Sequence, residues 1–448
     1  MSNRKIDVLV VGVALFAMFF GAGNLIFPPY MGLLAGTSWP LALAGFLITG
    51  IGMPLLGIMA SARAGGSVEH LAGRVSPLFG RVLSIVVILA IGPLLAIPRT
   101  GATTFELGVV PVLPGFSPAL FSVIYFGVTL FFALNQSAVI DKIGKYLTPF
   151  LLLTLAWIIV AAVLSPLGPL VEQGLDRPFS RGFREGYQTM DAMASIVFAE
   201  IIIGALVYKG YKSVSDQVRL TSLAGLIAAT GLGLVYGGLM YVGATAVTAF
   251  PADTERTSLL VGITQRLLGG TGKIALGAAV ALACLTTSIG LTATVGDYFS
   301  GLTKGRLGYR TICVLTVVFS AIFATVGVTT IVTLAVPLLV TVYPVAIVLI
   351  ILTMVEPLVT NRLVYIGAVV GALSTSIPDA LTSAGVPVAA VNEAIARIPL
   401  AEAGFPWVVP ALLGGIICGG LAATGRGSDV RMCRLDADGP AKARRREG

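Results

Sequence analysis

Twelve apolar runs, most of about twenty residues, follow one another along the chain, separated by short charged or Gly/Pro-rich segments. They span approximately 8-27, 39-60, 81-107, 117-134, 146-165, 187-207, 220-249, 274-298, 311-327, 331-355, 363-378 and 406-424. At about 1.5 Å of rise per residue, a helix of this length crosses the hydrocarbon layer of a bilayer. A transmembrane β-barrel is excluded, because the runs are long and do not alternate. Only 11% of the residues are charged and 56% are hydrophobic, whereas soluble domains carry roughly a quarter charged. The expected fold class is therefore an all-α polytopic membrane protein with about 12 transmembrane helices.

The net charge of +8 raises the question of nucleic acid, and the placement of the basic residues answers it. With the N-terminus inside, 21 of the 29 Lys and Arg lie on the inner side, seven in the outer loops, and Arg99 within a span. That is the positive-inside pattern, so both termini are expected in the cytoplasm. The basic tail, residues 426-448, is then a disordered lipid-surface feature, with no nucleic acid as partner. The four cysteines (Cys284, Cys313, Cys418, Cys433) have neither disulfide-framework nor zinc spacing. Gly269-Gly270-Thr271-Gly272-Lys273 lacks phosphate-loop spacing, and the single histidine, His70, sits in an inner loop. No nucleophile or metal constellation is present, so an enzyme is not expected and no cofactor is called for.

Span 1 is badly built for a plain helix in its second half, Phe19-Phe20-Gly21-Ala22-Gly23-Asn24-Leu25-Ile26-Phe27-Pro28-Pro29. Two glycines cost roughly 1 kcal/mol each in a helix and let the backbone leave its ladder. At membrane depth, freed backbone groups are tolerated only where they line a protein-enclosed cavity. A broken helix here is a functional site, unless the glycines merely let another helix pack closely.

Ionisable residues inside spans cost about 2.5 to 3.5 kcal/mol on insertion scales, so each needs a reason. Arg99 and Glu106 lie in span 3; Asp191 and Glu200 lie in span 6. Either Arg99, Glu106 and Glu200 form a structural ion-pair set between helices, or they contact a ligand. Span 8 carries Ala283-Cys284-Leu285-Thr286-Thr287-Ser288, whose hydroxyls either bond back to the preceding turn or, with carbonyls of an unwound span 1, coordinate Na⁺.

Phe20 to Pro29, Gly92-Pro93 with Ile97-Pro98-Arg99-Thr100, and Gly186-Tyr187-Gln188-Thr189-Met190-Asp191 strongly resemble the bacterial branched-chain amino acid:cation symporters, the LIVCS family. The resemblance extends over nearly all the spans and stops at the basic tail. It implies the five-plus-five inverted-repeat architecture of the amino acid-polyamine-organocation superfamily, with broken helices 1 and 6. A single transporter domain would cover 1-425, with repeats about 8-165 and 187-355 and extra spans about 363-424. Half-helix N-termini would then face the substrate carboxylate. By the same resemblance the substrate backbone meets Ala22, Gly23 and Asn24 on span 1 and the stretch 194-198 on span 6, which includes Ser195. Na⁺ takes the carbonyls of Ala17, Phe20 and Ala283 and the hydroxyls of Thr286 and Thr287.

An apolar pocket could be walled by Phe20, Ile97, Met193, Ile196 and Phe198, and such walls separate one methylene by only about 1 to 3 kcal/mol. The expected activity is import of leucine, isoleucine and valine across the bacterial inner membrane by Na⁺-coupled symport. Proton coupling through Asp191 or Glu200 is the nearest rival, and a passive facilitator the next.

Overall fold

The computed structural model describes residues 4–135, 139–211, 213–356, 359 and 361–423. The basic tail with Cys433, Lys212, and the side chains of Lys142 and Lys145 lie outside what is described.

Where the sequence shows one apolar run, the structure often has two helices. The first run is α1 (Arg4–Phe19) and α2 (Ala22–Ala35), bent by 70° at Phe20 and Gly21. The second joins α3 (Trp39–Leu47) to α4 (Met53–Ala64) through a π-turn at Ile48–Gly52, and a short α5 (Val68–Gly73) follows. The third joins α6 (Pro77–Leu89) to α7 (Ala96–Thr104) across a π-turn kinked at Gly92, beside Pro93. After α8 (Pro118–Leu134) and α9 (Val139–Leu164) comes a second broken pair, α10 (Pro178–Tyr187) and α11 (Asp191–Tyr208). Span 6 was expected to begin at Tyr187; it begins a helix earlier, and Tyr187 ends that helix.

Two long helices follow, α12 (Val214–Thr245) and α13 (Arg256–Leu302), the latter kinked at Gly269 with φ 67°. The glycine cluster there is a helix bend, because only glycine takes that left-handed backbone cheaply. Then come α14 (Tyr309–Ala324), α15 (Val328–Met354), α16 (Arg362–Ser383), the small α17 (Ala389–Ala396) and α18 (Val408–Ala423). Helix starts carry the expected caps: Ser76, Ser117 and Ser213 accept from the N–H three residues on, and Pro77, Pro118 and Pro178 occupy first positions.

Among the described residues, seven helices are long and apolar enough to cross a membrane, or eight if α1 and α2 form one span; four shorter apolar helices accompany them. The chain is a multi-pass α-helical membrane protein. Glycines set its closest approaches. A Cβ on Gly32 of α2 would lie 1.9 Å from the Met240 carbonyl of α12, and one on Gly243 of α12 would lie 1.9 Å from that of Pro29. Small residues let membrane helices approach backbone to backbone in this way. At one end of the bundle, Lys209 Nζ and Tyr211 Oη both donate to Asp7, at 2.5 and 3.0 Å, and tie the start of α1 to the end of α11.

Candidate functional site

The two broken helices meet at their breaks. Phe20 donates the last α1 bond, to the Phe16 carbonyl at 2.9 Å; Gly21 is extended, and α2 restarts at Ala22. The side-chain oxygen of Asn24 reaches back to the Gly21 N–H at 3.3 Å. A helix start presents N–H groups without helical acceptors and the positive end of the dipole, and here it does so inside the bundle.

The second break covers Gln188, Thr189 and Met190. Their N–H groups close tight three-residue turns on Glu185, Gly186 and Tyr187 at 3.0, 3.3 and 3.0 Å, and Met190 adopts left-handed φ 64°. A non-glycine residue held there, 2% exposed, stores strain of order 1 to 3 kcal/mol. The α11 helix then restarts at Asp191, whose N–H bonds the Thr189 hydroxyl at 3.3 Å.

Three side chains lock the breaks together. Asn24 Nδ2 donates to Asp191 Oδ2 at 2.6 Å and also to the Tyr236 hydroxyl of α12. Arg99 of α7 donates Nη1 to the Gln188 carbonyl at 2.5 Å and Nη2 to that of Thr189 at 3.4 Å. Arg99 is 4% exposed and Asp191 5%, and no salt bridge joins them among the described residues. Arg99 Nε and Gln188 Oε1 are buried without partners. The site thus holds a guanidinium and a carboxyl group, with no salt bridge between them and with spare hydrogen-bonding positions on the guanidinium side. Around it stand aromatic rings: Phe20 stacks on Phe16 and Tyr236 at 5.4 and 6.5 Å, Phe46 meets Tyr236 edge-on at 5.4 Å, and Tyr187 stacks on Tyr343 at 4.3 Å.

Residues 4–424 match the family model described as branched-chain amino acid transport protein. The chain belongs to that family. It is 41% identical over 420 residues to the branched-chain amino acid permease BraB of Bacillus subtilis (strain 168), with 92% of this chain and 94% of that one covered. Its fold is similar to that of Mhp1, a nucleobase-cation-symport-1 family transporter solved in a closed conformation with bromovinylhydantoin bound. The TM-score is 0.61 at 14% identity, over 93% of each chain. It is also similar to MhsT in complex with L-phenylalanine, with TM-score 0.53 at 16% identity, over 91% of this chain and 97% of that one. Its relatives are transport proteins, so this member of the family is a transporter rather than an enzyme.

The residues expected at a family site fall into separate groups. Phe20, Ala22, Gly23 and Asn24 lie at the first break, and Ile97 is fully buried in α7, two residues before Arg99. Residues 194 to 198 lie in regular helix beyond the second break, which is at 188–190. Within that stretch the Ser195 hydroxyl donates to the Ala192 carbonyl at 2.7 Å and packs on Gly57 of α4, where a Cβ would sit 2.1 Å away. Met193, Ile196 and Phe198 are buried.

The ion-pair set of Arg99, Glu106 and Glu200 does not form. Arg99 binds backbone carbonyls instead. Glu106 accepts from the Thr257 hydroxyl at 2.6 Å and from the Val328 N–H at 2.8 Å, at the start of α15. Glu200 is exposed on α11. Thr286 and Thr287 both donate to the Ala283 carbonyl, at 2.9 and 3.0 Å. Ala17 and Phe20 belong to the first broken run, whose α1 packs on α12, while α13 packs on α7, α8, α9 and α2.

Tyr236, Phe27, Gln188 and Thr189 carry much of the site, yet sequence reasoning gave them no role. An aromatic or a polar residue in an apolar run is also what an ordinary helix core shows, so the only available signal for Gln188 and Thr189 was their place in the 186–191 motif.

Proposed function

We propose that this protein imports leucine, isoleucine and valine across the bacterial inner membrane by Na⁺-coupled symport with alternating access. The observation that carries the reading is the junction of two helix breaks through Asn24 and Asp191, beside buried Arg99. An amino acid is a zwitterion with a small polar head, and this centre offers complementary charge to each end. The N–H groups that open α2, at Ala22, Gly23 and Asn24, with the guanidinium of Arg99, suit a carboxylate. Asp191 and the carbonyls of the second break suit an ammonium group. Phe20, Ile97 and Tyr236 supply apolar and aromatic surface for a branched side chain. The relatives named for branched-chain substrates support that class.

In this reading the chain has twelve spans in a five-plus-five inverted repeat, with both termini cytoplasmic, as the Lys/Arg distribution favours. Na⁺ binds between the first broken run and α13, on the carbonyls of Ala17, Phe20 and Ala283 and the hydroxyls of Thr286 and Thr287. Each ligand helps complete the other's site, and that mutual completion is the coupling.

A second reading, proton coupling, is favoured by one observation: Asp191 is a buried carboxylate with no salt bridge at the centre of the site. Uptake of labelled leucine into proteoliposomes separates the two. Accumulation under an inward Na⁺ gradient but not an equal K⁺ gradient, competed by isoleucine and valine and not by lysine, supports Na⁺ coupling. Equal accumulation in both, abolished by an uncoupler, transfers the role to Asp191.

A further inference from the structure

Arg256 is the first residue of α13, where a cation opposes the helix dipole and gains nothing from its own helix. Its contacts are elsewhere. Nε and Nη2 both donate to Glu185 Oε1 of α10, at 3.2 and 3.0 Å, with both side chains 19% exposed. The guanidinium also lies 4.2 Å from the Tyr30 ring of α2 and 5.6 Å from that of Phe27. The neighbouring Thr257 donates to Glu106, whose other oxygen accepts from the first N–H of α15. Two consecutive residues thus bind different parts of the bundle. Arg256 holds α2 and α10, the halves of the broken helices that face away from the Asp7 end, and Thr257 is fixed to the end of the third span and to α15.

Phe27 lies between this clamp and the site. Its ring is fully buried, with Arg99 at 5.5 Å and Arg256 at 5.6 Å from its centroid. We infer that the Arg256–Glu185 pair is the latch of the outer closure and that Phe27 is the lid it holds over the Asn24–Asp191 junction. The inference rests on the alternating-access reading above. Opening the outer path requires α2 and α10 to part from the start of α13, which breaks the pair and uncovers Phe27. Desolvation and the aromatic faces strengthen the latch beyond a surface ion pair, while one water-facing edge lets it open.

The test needs no substrate, so its failure is distinct from a failure of the transport reading. The four cysteines are replaced by serine, Ala22→Cys is introduced at the first break, and labelling by a membrane-impermeant thiol reagent is timed from each side in turn. Arg256→Gln and Glu185→Gln should each speed labelling from one side by about five-fold or more, the loss expected for a partly buried ion pair. The exchanged pair Arg256→Glu with Glu185→Arg should restore slow labelling. Melting temperatures identify folded variants, and Arg256→Lys, which keeps charge but loses the fork, serves if the Gln variants do not fold. Unchanged rates from both sides, or acceleration that the exchanged pair fails to reverse, overturn the inference.

Discussion

Asn24 and Asp191 stand 167 residues apart in the chain, and their side chains meet at 2.6 Å inside the bundle. Each belongs to the first turn of a helix that restarts after a break. One hydrogen bond therefore fixes the register of two half-helices, and through Tyr236 it anchors both to α12.

Tyr236→Phe tests that anchor alone. The ring and its contacts with Phe20 and Phe46 stay, while one acceptor of Asn24 is lost. Leaving a buried donor unsatisfied costs about 1 to 3 kcal/mol, so half-saturation for leucine should rise by roughly 5- to 150-fold with little loss of protein yield. Saturation kinetics in proteoliposomes measure it.

Two glycine substitutions should separate function from folding. A Cβ on Gly23 meets the Phe27 ring at 2.8 Å and Arg99 Nη2 at 3.0 Å, side chains of the site itself, so Gly23→Ala should impair transport while lowering the melting temperature less than a backbone clash does. A Cβ on Gly32 meets the Met240 carbonyl at 1.9 Å, a backbone atom, so Gly32→Ala should destabilise by about 1 to 3 kcal/mol. Transport and thermal melting of both variants check the contrast.

Arg99→Ala removes the donors to two freed carbonyls and leaves Asp191 without a nearby cation. Losing one member of a buried charge set typically costs about 3 to 5 kcal/mol. The expected outcome is a lower melting temperature together with lost uptake, and Arg99→Lys should recover stability only in part, because an ammonium lacks the fork. Unchanged melting in Arg99→Ala would contradict a role in holding the second break.

Thr286→Val with Thr287→Val tests the sodium site. Both hydroxyls bond back to one carbonyl, so their structural contribution is small, about 0.5 to 1.5 kcal/mol each. The double variant should fold and should need more Na⁺ for half-maximal uptake; an unaltered sodium dependence would remove these residues from the site.

The first break was legible because its causes are local: Gly21, Gly23 and Asn24 weaken the helix, and Pro28 and Pro29 follow closely. The second was not, because no Gly or Pro lies between Gly186 and Gly204. It is made by tertiary contacts, with Met190 in a left-handed conformation and the freed carbonyls taken by Arg99 from another span. For the same reason the ion-pair set of Arg99, Glu106 and Glu200, one of the two readings of those charges, is absent. Charge-to-charge pairing is the natural guess from side chains alone, whereas Arg99 and Glu106 bind backbone groups that exist only once helices have broken or begun. The apolar runs and the family motifs made the all-α multi-pass class and the transporter family legible, since both depend on length and local sequence.

Equilibrium binding of labelled leucine to purified protein in saturating Na⁺, compared between the native chain, Asn24→Ala, Asp191→Asn and Ser195→Ala, tests whether substrate sits at the junction of the two breaks. With substrate there, the first two variants should lose binding by about 10-fold or more while remaining folded, and Ser195→Ala, which alters a residue facing α4, should bind nearly as the native chain does. Native affinity in folded Asn24→Ala and Asp191→Asn would contradict that placement and move the site away from the junction.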